Sequence, residues 1–231
     1  PKTHVLDITS FESEGATDTF EKLDDGSILL VGGDPPDTDV YTVRVRGQLT
    51  GIRKFQLDAL QHESLPGEGP GRGDPKRRNF VLNGFSAELR PLDSSQATKI
   101  KFSSATASFS QTNWDVSGAL QSKAKSGWAI APQFDRSHWA TFTLAEPIDI
   151  ADDAELVFTL NQEFGKARTI GRFQLSAVTG DGEGTSIPDD LIKVAKKPIA
   201  EWSKRDRSKI LDYRVKQDAR SSKVARDIAN L

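Results

Sequence analysis

The 231-residue chain contains neither cysteine nor methionine. Without cysteine there are no disulfides, no zinc–thiolate centres, no thioether-linked haem and no thiol nucleophile. Histidine is almost as scarce: His4, His62 and His138 stand far apart, with no His-Glu-x-x-His and no paired metal spacing. A Gly-x-Ser-x-Gly elbow is missing. The glycine string at 67–73 lacks the Lys-Ser/Thr of a phosphate loop and leads into a strand-like segment, not a helix. No run approaches the roughly 18 apolar residues that a membrane helix requires. A start at Pro1 without any methionine reads as a piece of a longer protein. Carboxylates are plentiful, so the residue inventory leaves room for an acid/base pair.

What is present is an acidic body with a basic tail. The formal charge is −2, but residues 186–231 hold 12 Lys/Arg against 7 Asp/Glu, a net +5. The remainder holds 19 against 26, a net −7. The overall balance argues against a dedicated nucleic-acid protein.

Up to Gly180, short alternating runs recur between turn signals, the pattern of an all-β sandwich. Strands are expected at 27–31, 40–46, 51–60, 99–103, 128–131, 139–144, 155–160 and 170–178, dominated by Val, Ile, Phe and Thr. Turns are expected at Asp24-Asp25-Gly26, Gly32-Gly33-Asp34-Pro35-Pro36 and Gly180-Asp181-Gly182. The stretch 69–89 is a glycine- and proline-punctuated basic loop entering a strand-like segment, with Phe80 and Leu82 in register and Phe85 out of it. After Gly184 the glycines stop. One helix is expected from Ser186 or Pro188 until Pro198, a second over 201–215 and a third near Val224, Ile228 and Leu231. The domains are therefore read as a sandwich over 1–184 and a helical extension over 185–231.

Trp114, Trp128, Trp139 and Tyr41 are candidates for stacking on the apolar face of a sugar ring. Trp128 lies in a buried-strand sequence and suits the core. Trp114 sits among Gln111, Thr112, Asn113 and Asp115, a polar loop where an aromatic is more informative. Trp139 follows Arg136 and His138, which places all three as candidates for one face. Arg72, Lys76, Arg77 and Arg78 suit an anionic ligand, or, for Arg72, a structural tie between loop and sandwich. Asp24, Asp25, Asp34, Asp37 and Asp39 make a carboxylate-rich region. Asp24, Asp25 and Asp39 are candidates for a structural calcium, against a plain series of solvated turns. Arg72-Gly73-Asp74 spells an integrin-type tripeptide too short to carry weight.

Several segments in order resemble one family. They are Leu23-Asp24-Asp25-Gly26-Ser27-Ile28-Leu29 with Asp39-Val40-Tyr41-Thr42-Val43; Gly51-Ile52 through Leu57-Asp58-Ala59-Leu60 to Gly69-Pro70-Gly71-Arg72 and Asn79-Phe80-Val81-Leu82; Ser126-Gly127-Trp128-Ala129-Ile130 with His138; and Gly171-Arg172-Phe173-Gln174-Leu175-Ser176. Together they are similar to the β-domain of planctomycete-type exported multidomain proteins that carry a c-type cytochrome-like domain. The resemblance implies a carbohydrate-binding, galactose-binding-like jelly roll, located in the periplasm or outside the cell. Its implied role is a non-catalytic module that holds a parent protein on a polysaccharide. Its tail would lead to a following domain. The chain departs from the family where Arg168 stands in place of a histidine, where a second arginine near Gln174 is missing, and where Gly73-Asp74-Pro75-Lys76-Arg77-Arg78 is inserted. The alternative reading is an interdomain scaffold without glycan affinity.

Overall fold

The computed structural model describes residues 1–15, 20–32, 34–73, 75–76, 78–93, 96–123, 125–180, 194 and 201–217. The chain divides into two compact units, Pro1–Gly182 and Glu183–Leu231.

The first unit is a jelly-roll β-sandwich. Its strands are β1 (Lys2–Val5), β2 (Ile8–Ser13), β3 (Phe20–Lys22), β4 (Ile28–Leu30), β5 (Asp39–Val45), β6 (Leu49–Ala59), β7 (Val81–Leu82), β8 (Gly84–Pro91), β9 (Thr98–Lys99), β10 (Phe102–Ala107), β11 (Trp128–Ala129), β12 (His138–Ile150), β13 (Ala154–Gln162) and β14 (Arg172–Thr179). One sheet runs β10-β12-β6-β14-β4-β3 with β1 also on β14; the other runs β2-β5-β13-β8-β9. Eight of these strands pair first with last: β4 with β14, β5 with β13, β6 with β12, and β8 with β9. A ribbon of nested antiparallel pairs wrapped into two sheets is the jelly-roll topology.

Alternation explains why the sheets close on each other. Along β5, Asp39, Tyr41, Val43 and Val45 are buried while Val40, Thr42 and Arg44 are only partly so. From the facing sheet come Phe55, Leu57, Phe142 and Leu175. Phe85 stacks on Phe142 with ring centroids 3.8 Å apart, and Phe55 meets Phe158 edge to face at 4.8 Å. Both pairs bridge the two sheets, each adding about 0.5–1.5 kcal/mol beyond its buried area.

The irregular register at Phe85 has a clear origin. β7 pairs with β11 in a separate two-stranded sheet, and the chain then transfers at Asn83 into β8. Phe80, Leu82 and Phe85 are all buried on either side of that transfer. The amino-terminal β1, β2 and β3 are additions to the expected strand set, because their apolar residues (Val5, Ile8, Phe11 and Phe20) are diluted by Lys, His, Ser and Glu.

In the second unit, a helix α1 (Lys204–Gln217) matches the second expected one. Ser203 and Asp206 form a capping box: the Asp206 amide donates to the Ser203 hydroxyl at 3.1 Å, and the Ser203 amide donates to the Asp206 carboxylate at 3.1 Å. The first and third expected helices lie outside the described residues, apart from a helical Val194. No helix among the described residues is long and apolar enough to cross a membrane.

Candidate functional site

Strand directions put the long connections together. Asp39 lies opposite Gln162, Gly84 opposite Asn161, and Ala59 opposite both His138 and Phe173. The connections 60–80, 108–137 and 163–171 therefore all emerge at one end, whereas β5–β6 and β12–β13 turn at the other through 46–48 and 151–153.

The small β7–β11 sheet is the floor of this loop end, and backbone bonds extend it on both sides. The Val81 amide donates to the Arg168 carbonyl at 3.0 Å, and the Gln111 amide to the Ala129 carbonyl at 2.8 Å. Buried Asn79 ties the layers: its amide donates to Gln111 Oε1 and its Oδ1 accepts from the Ile130 amide, both at 2.9 Å. Two glycines permit these close approaches. A Cβ on Gly71 would run into the Asn79 carbonyl, and one on Gly127 (φ +146°) into that of Leu82.

On this floor the two loop tryptophan regions part company. Trp128 is fully buried, edge to face with Phe80 at 4.9 Å, and its indole N–H donates to the Phe109 carbonyl at 2.9 Å. Trp114 is half-buried and meets the half-buried Phe164 edge to face at 5.1 Å. The Arg168 guanidinium lies 4.8 Å from the centroid of the Phe164 ring. A cation over an aromatic face is held there by the ring quadrupole. The backbone beside the triad is unusual: Asn113 (φ 67°), Lys166 (φ 61°) and Ala167 (φ 52°) are left-handed without being glycine. Such conformations cost free energy and concentrate at ligand-binding loops. Phe164 went unremarked in the sequence, because Asn161-Gln162-Glu163-Phe164 reads as the tail of a strand.

Behind the triad lies a layer of buried polar groups that corrects two sequence expectations. Tyr41 and Arg72 do not face solvent: Tyr41 is fully buried and Arg72 is 4% exposed. The Tyr41 hydroxyl donates to the Ile170 carbonyl at 2.7 Å, and Gln162 Oε1 accepts from the Ile170 amide at 2.7 Å. The Arg72 amide donates to the Thr169 carbonyl at 2.9 Å. Burial pushes the Tyr41 phenol up to about 12, opposed by the nearby Arg72 charge. These contacts clamp segment 169–171 against the sandwich, so Tyr41 and Arg72 hold up the loop that carries Phe164 and Arg168.

The remaining candidates are dispersed. His138 is buried, its Nε2 2.7 Å from the Gln133 carbonyl and its Nδ1 3.2 Å from the Ser108 hydroxyl, a position that braces the loop and excludes a sugar. Arg136 is exposed and lies 3.4 Å from Asp135. Trp139 is half-buried on the outer face of its sheet, between Ser108 and Asp58. Burial raises Asp58 to about 6, against the lowering effect of the Gln56 amide, which donates to both carboxylate oxygens at 2.9 and 3.0 Å.

The expected calcium ligands do not come together. Asp39 is buried, accepting from the Ser13 hydroxyl at 2.7 Å and the Gly15 amide at 3.0 Å. Asp25 accepts from the Ser27 amide and hydroxyl and pairs with Arg172 at 2.5 Å. Burial, the largest single influence, raises the Asp25 carboxyl, but Ser27 and Arg172 together outweigh it and leave it below its ordinary value. Asp24 is exposed beside it. Among the described residues no group of three or more His, Asp or Glu side chains is arranged to hold a metal ion.

No family model matches this chain, and no curated protein sequence matches it. Among solved structures, the CBM32-1 and CBM32-2 domains of Clostridium perfringens ZmpB are 11% identical, with a TM-score of 0.34 over 76% of this chain and 36% of that one. The catalytic domain of a GH87 α-1,3-glucanase is 11% identical, with a TM-score of 0.28 over 82% of this chain and 30% of that one. The N-terminal cellulose-binding domain of Cellulomonas fimi β-1,4-glucanase C is 13% identical, with a TM-score of 0.27 over 79% and 98%. This chain thus spans about a third of the first two structures it is similar to.

Proposed function

We propose that this chain is a non-catalytic carbohydrate-binding module that grips a glycan at the loop end of its sandwich. The observation that carries the reading is the Trp114–Phe164 pair, half-buried and edge to face, with the Phe164 loop clamped from behind by Tyr41 and Arg72 and the Trp114 loop tied to the floor through Asn79 and Gln111. Pre-organised aromatic side chains lose little entropy on binding and offer an apolar face to a pyranose. In the longer exported protein that the sequence resemblance implies, such a module would position its neighbours on a polysaccharide.

Two features favour this over the rival readings. A docking scaffold would present a contiguous apolar patch, but among the described residues the exposed large apolar side chains are Val5 on β1, Phe20 on β3 and Leu92 after β8, which belong to three different elements. A glycosidase would set a second carboxylate close to its acid, but the register neighbours of Asp58 are Trp139 and Gln174.

The test is Trp114→Ala. It should abolish binding to whichever glycan the wild type retains in an array and calorimetry screen, with thermal stability nearly unchanged. Glycan binding that survives the substitution would remove the loop end as the site.

A further inference from the structure

We infer that the glycan is acidic and that Arg168 reads its charge. This rests on the carbohydrate-binding reading and specifies its ligand. The Arg168 guanidinium sits over the Phe164 ring, and among the described residues its side chain makes no hydrogen bond and no ion pair. Its backbone, by contrast, is fully engaged: its amide meets the Gly165 carbonyl at 3.4 Å and its carbonyl accepts from Val81. The cation is therefore held in place by the loop and by an aromatic face, while its donors remain unspent.

Glu163 and Asp37 keep their negative charge but do not pair with Arg168, and each accepts instead from a neutral amide. Glu163 accepts from the Asn161 amide at 3.0 Å, and Asp37 accepts from the Lys166 backbone amide at 2.6 Å. Lys166, exposed in the same turn, adds a second positive charge. A half-buried guanidinium with free planar donors beside an aromatic pair suits a sugar that carries a carboxylate or a sulfate. The sugar ring stacks on Trp114 while Arg168 lies over Phe164, and the anion takes a two-pronged charge-assisted hydrogen bond from the fork. The left-handed Lys166 and Ala167 are what turn Arg168 back over Phe164 within four residues. That strained turn is explained if the loop is built to present the cation.

The full chain would be titrated calorimetrically with polygalacturonate (carboxylate), dextran sulfate (sulfate ester), neutral dextran and a single-stranded oligonucleotide. R168Q, R168K and W114A would be measured alongside. We expect saturable binding to one acidic polymer and none to dextran. R168Q should weaken it at least tenfold, R168K should retain part of it, and the melting temperature should stay within a few degrees. The responding arm identifies carboxylate or sulfate as the recognised group. Dextran binding that is unchanged in R168Q would overturn the acidic specificity and leave the glycan site standing. Equal binding of wild type and R168Q to the acidic polymers would show a diffuse charge effect and overturn the role of Arg168. Failure to bind any polysaccharide, or tighter binding to the oligonucleotide, would overturn the inference and the carbohydrate reading together.

Discussion

The two ends of the sandwich are built from the same strands but by opposite rules. At the hairpin end, β5–β6 and β12–β13 turn through 46–48 and 151–153, and the side-chain polar contacts sit at the sheet margin: Glu155 pairs with Arg44 at 3.0 Å and Arg46 at 3.6 Å, and Asp149 accepts from the Gly51 amide at 2.6 Å. At the loop end, the same strands deliver buried Asp39, Tyr41 and Gln162 into the core's margin, where Arg72 and Thr169 meet them. Burying polar groups is costly unless they are paired; the hairpin end buries Glu155 against Arg44, whereas the loop end carries a whole layer of such groups. The polar layer makes sense as support for loops that must hold one shape while remaining partly open to solvent. The difference shows in the two loop tryptophans: Trp128 belongs to the floor and Trp114 to the surface above it.

Substitutions at graded depth can break or sharpen this contrast. Trp128→Ala removes the floor's largest side chain and should cost about 3–5 kcal/mol in urea denaturation. A loss below about 1 kcal/mol would mean the floor is not packed as described. Asp58, also near the loop end, should give pH-dependent stability. Its folded value of about 6 lies above the ordinary 3.8, so the folded state binds the extra proton between those limits. Stability should therefore rise as pH falls from about 6 to 4, by at most about 3 kcal/mol. Asp58→Asn should flatten that slope, and an unchanged slope would assign it to another group. Tyr41→Phe deprives the Ile170 carbonyl of its donor and should cost about 1–2 kcal/mol. It should also loosen the 163–171 loop, seen as faster amide exchange there. Leu92→Ser, at the hairpin end and 44% exposed, should stay within about 0.5 kcal/mol of wild type.

Much of the sandwich was legible in the chain, because alternation of burial along β5 and β6 is written directly in residue order, while β13 and β14 read as apolar runs buried over part of their length. The termini of strands were less so. The expected 99–103 strand is two pieces, β9 and β10, that belong to different sheets, and no local pattern marks a change of sheet. The candidate site was legible only in part. Trp114 stood out for its polar setting, but its partner Phe164 lies 50 positions away, and only the topology brings 108–137 and 163–171 to one end. Tyr41, Arg72 and His138 had the right chemistry for a ligand, yet the Tyr41 and His138 side chains are spent inward on Ile170 and Gln133, and the Arg72 guanidinium is buried with its Nη1 unpaired. Residue type cannot tell a loop's contact surface from its scaffolding, since both require polar groups with directional bonds.

The most direct test follows the indole N–H signals by NMR during titration with a bound polysaccharide. The chain has four tryptophans, and each gives one such resonance. The loop-end site predicts that the Trp114 signal shifts saturably while that of Trp128, bonded to Phe109, stays in place and exchanges slowly. A shift confined to Trp139 would move binding to the outer sheet face, and shifts at none of the four would contradict an aromatic glycan site altogether.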